Sequence, residues 1–129
     1  MSITTAHALA PQVANSLALW NALTSRYGAH DYAIRFWDGT VISADAGQPT
    51  RFTLVLEHSG ALRQMFWPFN KVGLGEAYIY GDFDIEGDLF AFMSLLRFLI
   101  AQKWSLTEKI TLLRRLIALP KDRRERVGL

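Results

Sequence analysis

A chain of 129 residues, half of them apolar and none of them cysteine, has material for one domain with a real core and rules out disulfides, thiolate catalysis and cysteine-ligated zinc. No apolar run approaches the roughly 20 residues needed to span a bilayer. Residues 1–11 lack the basic start and long apolar stretch of a secretion signal, so a cytoplasmic protein is the expectation. The net charge of +2 hides an asymmetry: residues 1–96 hold 5 Lys/Arg against 9 Asp/Glu, and residues 97–129 hold 9 against 3. A mildly acidic body therefore carries a basic end. Such an end attracts anionic headgroups or an acidic partner, or else stands as a solvated helix face. Nucleic acid is set aside, because no aromatic platform accompanies the arginines.

Val13, Leu17 and Trp20 recur at helical spacing and predict a helix over 11–27, with Gly28 placed to close it. Residues 32–37 read as a strand, Asp38-Gly39 as a tight turn and 40–43 as the returning strand of a hairpin. A loop follows over 45–50, and 52–57 is the clearest strand, rich in β-branched and large apolar residues. Ser59 is expected to cap a short helix through Phe66, which Pro68 ends.

Residues 72–88 are turn-rich, with four glycines, two tyrosines and five acids. They predict a helical turn around 74–80 and a short strand over 83–85. Asp88 can cap a helix over 89–102, and Ser105 with Glu108 three residues on predicts a capping box for a last helix through Leu119, stopped by Pro120. The order gives an α+β domain over residues 1–120, with a small, mainly antiparallel sheet flanked by helices.

Chemistry finds little support. His7, His30 and His58 fall in three different elements without metal-ligand spacing, and no serine has a Gly-x-Ser-x-Gly context. Gly73-x-Gly75 completes neither known phosphate-loop pattern. Asp82, Asp84, Glu86 and Asp88 alternate, which on a strand gives one solvated face opposite Phe83 and Ile85; His58 reads as a surface or turn residue. No catalytic, cofactor-binding or metal-ligating residue emerges, so binding is the better reading.

The 89–102 helix is apolar almost all round and must be covered on more than one side, by core plus a dimer or domain contact, or by a fatty chain. In the last helix Ile110, Leu113, Leu116 and Ile117 form an apolar stripe, with Lys109, Arg114 and Arg115 on the other face. That pattern suits an interfacial helix or one packed on a neighbouring domain.

The run Gly73-Leu74-Gly75-Glu76-Ala77-Tyr78 with Gly81-Asp82-Phe83 resembles the signature in the N-terminal domain of cyclopropane-fatty-acyl-phospholipid synthases. These are S-adenosylmethionine-dependent methyltransferases that act on unsaturated acyl chains of membrane phospholipids. The similarity extends to the Ile34-Arg35-Phe36-Trp37-Asp38-Gly39 hairpin, the strand at 52–56, and the leading and trailing helices. Residues 77–88 are also similar to a stretch of sterol carrier protein 2 domains, with acids here in place of the usual lysines.

The resemblance implies a sterol-carrier-protein-2-like lipid-binding or membrane-docking module, in which Trp67, Phe69, Tyr78, Tyr80, Phe83, Phe90 and Phe98 contact lipid. Arg114, Arg115, Lys121, Arg123 and Arg124 would face headgroups at the inner membrane face. The implied partners are a phospholipid or fatty acyl chain, the membrane surface and a catalytic methyltransferase domain outside this chain. S-adenosylmethionine is implied only for that domain, so no cofactor is expected on this chain. Residues 121–129 would be a basic tail or the start of the linker. The alternative is a structural module whose oily helix forms a homodimer or domain interface and binds no lipid.

Overall fold

The computed structural model describes residues 2–3, 9–28, 30–67 and 71–120. A five-stranded sheet comprises β1 (Ser2–Ile3), β2 (Ala33–Arg35), β3 (Val41–Ser43), β4 (Phe52–Leu56) and β5 (Phe83–Gly87), in the order β1-β3-β2-β4-β5. Only the β2–β4 pairing is parallel; the other three are antiparallel. The helices are α1 (Pro11–Leu23), α2 (Ala61–Phe66), α3 (Lys71–Ile79), α4 (Leu89–Ala101) and α5 (Leu106–Ile117). The fold is α+β with a mainly antiparallel sheet, as the order of elements predicts.

The period-two pattern of the strands sorts the sheet into two faces. Register places Ile42, Ile34, Leu54 and Ile85 in one row across β3, β2, β4 and β5, on the side that meets the core. The opposite face carries Arg35, Thr53, Asp84 and Glu86, and Arg35 Nη2 reaches Glu86 Oε2 across β4 at 2.7 Å. The β2–β3 hairpin forms at Asp38-Gly39 as predicted. Gly39 takes φ +89°, and the Thr40 N–H donates to Asp38 Oδ1 at 2.9 Å.

An aromatic chain ties the first helix to the last strand. Trp20 donates its indole N–H to the Tyr32 hydroxyl at 2.9 Å, and Tyr32 stacks on Phe52 with 5.1 Å between ring centres. Phe52 then meets Phe92 edge-on, and Phe92 meets Phe83. Each such pair contributes about 0.5–1.5 kcal/mol beyond its buried area. The chain crosses α1, β4, α4 and β5, so these elements hold one another in place.

Several local expectations need correction. The first helix stops at Leu23 rather than at 27: Thr24 is its C-cap, and the chain then tightens into a turn in which the Tyr27 N–H donates to the Thr24 carbonyl at 2.9 Å. Gly28 therefore closes nothing. Ser59 does not cap α2: Gly60 is its N-cap and no side chain caps it. Residues 71–79 form a continuous nine-residue helix, which includes most of the helical turn expected around 74–80 and starts three residues earlier, although the segment reads as turn-rich. Burial of Leu74 and Ala77 in the core outweighs the roughly 1 kcal/mol that each glycine costs a helix.

Candidate functional site

Asp88 accepts the Ala91 N–H at 3.1 Å and starts α4 as predicted. This helix buries Ala91, Phe92, Leu95, Leu96 and Leu99, but leaves Leu89, Phe90, Met93 and Ile100 open. Leu89, Met93 and Ile100 recur at the four- and seven-residue spacing of a single helix face. Beside that face runs a groove of about 640 Å³, bounded by Leu74 and Tyr78 of α3, Phe83 and Ile85 of β5, and Phe90 and Met93 of α4. Arg97 is the one charged residue in its lining.

A second groove of about 380 Å³ opens between α2, α4 and α5, with Trp67, Trp104 and Leu113 in its walls and Lys109 as its one charged residue. Ile100 lines both. No acidic residue is part of the lining of either groove. Arg97 and Lys109 have no ion-pair partner among the described residues.

The wall of the second groove is fixed at the start of α5. Ser105 accepts the Glu108 N–H at 3.1 Å and Glu108 accepts the Ser105 N–H at 2.9 Å, the predicted capping box. Arg26 of the α1–β2 connection pairs with Glu108 at 2.7 Å and lies 4.8 Å above the Trp104 ring. The Ser105 N–H, and after it the Arg26 guanidinium, hold the Glu108 carboxyl below the usual glutamate range. At the other end of α5, Arg63 donates to the carbonyls of Ile117 and Leu119.

The inward face of α5 differs from the predicted stripe. Leu112 and Leu116 are buried, while Ile110 and Ile117 stand outside with Leu106, which is 75% exposed. Leu106, Ile110, Leu113 and Ile117 therefore form a second, outward stripe at helical spacing, flanked by Lys109 and Arg114. Contacts with α1 and α2 select Leu112 and Leu116 for the interior.

The alternating acids do not share one solvated face. Asp84 and Glu86 are exposed, Asp88 caps α4, and Asp82 is fully buried. Asp82 Oδ1 lies 2.7 Å from Nε2 of His58, which is buried too rather than a surface residue. The Gly60 N–H donates to His58 Nδ1 at 3.1 Å. Among the described residues no group of three or more His, Asp or Glu is placed to hold a metal ion.

The predicted lipid contacts fall in different places. Tyr78, Phe83 and Phe90 line the larger groove, and Trp67 the smaller. Tyr80 is exposed but lines neither, and Phe98 packs on Tyr27 with ring centres 5.3 Å apart. Arg114 and Arg115 are exposed on α5; Phe69, Lys121, Arg123 and Arg124 lie outside the described residues. Leu89 and Met93, within the apolar run from 83 to 98 expected to meet lipid, do line the larger groove, whereas Arg97, Trp104 and Lys109 were not foreseen as lining.

The profile of a family described as a domain of unknown function (DUF7884) matches residues 16–109. The chain belongs to this family. No curated protein matches the sequence. The DUF7884 span runs from within α1 to within α5, and the α3–β5–α4 groove lies wholly inside it. The smaller groove extends past its end at Leu112, Leu113 and Leu116. Among the described residues no helix is long and apolar enough to cross a membrane.

Proposed function

We propose that this domain binds lipid, with an acyl chain lying in the α3–β5–α4 groove and the open faces of α4 and α5 turned to a membrane surface. One observation carries this reading: a lining that is apolar almost throughout, with one cation in each groove and no acid. Its volume falls in the range of about 300–1,000 Å³ typical of small-ligand sites. Covering about eight methylenes contributes about 6 kcal/mol before the costs of association. The resemblance of the 73–86 segment supports a role beside a catalytic domain of the cyclopropane-fatty-acyl-phospholipid synthase type. There this module would bring phospholipid acyl chains to an S-adenosylmethionine-dependent methyltransferase at the inner face of the cytoplasmic membrane, in the manner of a sterol-carrier-like domain.

Native mass spectrometry of the purified chain tests the reading. Retained lipid, lost on delipidation and regained on incubation with phospholipid, is the expected result. A chain that takes up no lipid at any loading overturns it.

The outward Leu106, Ile110, Leu113, Ile117 stripe favours a second reading, a helix-pairing interface without lipid, since Ile and Leu alternate there as in a paired-helix seam. Lys109 and Arg114 flank that stripe, however, and would face like charges across a homodimer. A tight, lipid-free dimer in analytical ultracentrifugation would establish this second reading in place of the first.

A further inference from the structure

The two grooves are not independent cavities: Ile100 is a wall of both, so they diverge from one residue of α4. Each is apolar apart from a single cation, Arg97 in the larger and Lys109 in the smaller, and each cation is exposed without an ion-pair partner among the described residues. Arg97 stands one helical turn before Ile100, which sets it beside the shared wall.

We infer that the forked surface takes one anionic diacyl phospholipid, with one acyl chain on either side of Ile100 and the phosphate above it, between Arg97 and Lys109. The inference rests on the lipid-binding reading and goes beyond it in naming the ligand class. A fatty acid would supply one chain and one carboxylate, leaving the second groove open. A zwitterionic phospholipid would fill both grooves, but its own ammonium would offset the pull of the phosphate on two unpaired cations. The asymmetry of the grooves, about 640 against about 380 Å³, further implies that the smaller side covers a shorter length of chain.

The test is a native mass spectrometry titration of the whole chain with four probes: dioleoyl phosphatidylglycerol, dioleoyl phosphatidylcholine, lyso-phosphatidylglycerol and oleate. One phosphatidylglycerol per chain is expected, bound about tenfold more tightly than phosphatidylcholine, since each Lys or Arg near an anionic group is worth about fivefold. Arg97→Glu and Lys109→Glu should each weaken phosphatidylglycerol by about tenfold and leave phosphatidylcholine within about twofold. Arg97→Lys should recover most of the loss. Lys103→Glu, a matched reversal outside both linings, should change neither lipid, and far-ultraviolet circular dichroism should show all four variants folded.

Equal affinity for the two diacyl lipids, or insensitivity to both reversals, overturns the inference while leaving lipid binding intact. Two oleates or two lyso-lipids bound independently would also overturn it, by making the grooves separate sites. Failure to retain any of the four probes would overturn the lipid-binding reading together with this one.

Discussion

His58 Nε2 and Asp82 Oδ1 stand 2.7 Å apart inside the protein, joining the turn after β4 to the residue just before β5. Because Gly60 donates its N–H to Nδ1, that nitrogen is the acceptor and Nε2 carries the proton given to Asp82. Replacing one partner takes a buried hydrogen bond away from the other. His58→Ala or Asp82→Ala should therefore cost about 2–4 kcal/mol, seen as a Tm lower by on the order of 10 °C. Asp82→Asn should cost less, since the amide oxygen can still accept. A melting curve for His58→Ala that overlays the parent would show the pair to be dispensable.

Gly87 offers a second test. It has φ +100°, and a Cβ there would sit 2.9 Å from the Arg51 carbonyl oxygen and 3.1 Å from Phe52 Cα, both backbone atoms that cannot swing away. Gly39 has a similar φ of +89° but open space around it. Gly39→Ala should cost about 1–2 kcal/mol from conformation alone, and Gly87→Ala distinctly more. Urea titrations of the two variants that give equal losses would refute the steric part of the argument.

The acid limb of stability should depend on Glu108. Its folded pKa is lowered, first by the Ser105 N–H and then by Arg26, so its contribution is present above the ordinary glutamate range, near about 4.3. That contribution is lost as pH falls through the depressed folded value. Glu108→Gln should flatten the decline of Tm in this window and lower Tm near neutrality. The same slope in parent and variant would contradict it.

Tyr32 governs the opposite limb. Burial raises its pKa, an effect that the hydrogen bond from Trp20 partly offsets. The stability it lends is complete below about pH 10, its unfolded range, and drains away as pH climbs toward the raised folded value. Tyr32→Phe should remove this alkaline dependence, at the cost of leaving the buried Trp20 N–H without its partner. Tm measured across the alkaline range checks the prediction, which fails if the two curves run parallel.

Neighbouring phenylalanines of α4 should separate folding from binding. Phe92 is buried between Phe52 and Phe83, whereas Phe90 is 83% exposed at the groove rim. Phe92→Ala should cost about 3–5 kcal/mol of stability. Phe90→Asp should shift stability by no more than about 0.5 kcal/mol and yet weaken lipid uptake by about tenfold, given the roughly 1.5–3 kcal/mol that covering a phenylalanine contributes. Unchanged uptake by Phe90→Asp would remove that groove from the proposed function.

The features legible in the sequence are those that local chemistry fixes. The Asp38-Gly39 turn, the Asp88 cap and the Ser105–Glu108 box each depend on residues within three or four positions, and each forms where expected. What stayed hidden depends on distant contacts. His58 and Asp82 are 24 residues apart, so no window on the chain shows that the two meet. Which residues of α5 turn inward was not legible, because Leu112, Leu113, Leu116 and Ile117 spread over about 140° of one apolar side, and only packing on α1 and α2 decides which of them turn in. In α3 the two glycines speak for a turn, and the pull of Leu74 and Ala77 toward the core speaks louder. The larger groove was half visible, in Tyr78, Phe83 and Phe90; Arg97 passed as one more surface cation because its position beside the groove is a tertiary fact.

The Arg35–Glu86 pair on the back of the sheet has a consequence for orientation. Every large apolar side chain exposed among the described residues follows β4 in the chain, on or beside α2, α3, α4 and α5, and none lies on a strand. The domain is thus two-sided, oil-wettable on its helices and water-wettable where Arg35 and Glu86 meet. An apolar boundary would meet the helices, where Phe90, Leu106 and Ile117 stand exposed, before it met the strand face that carries Arg35 and Glu86.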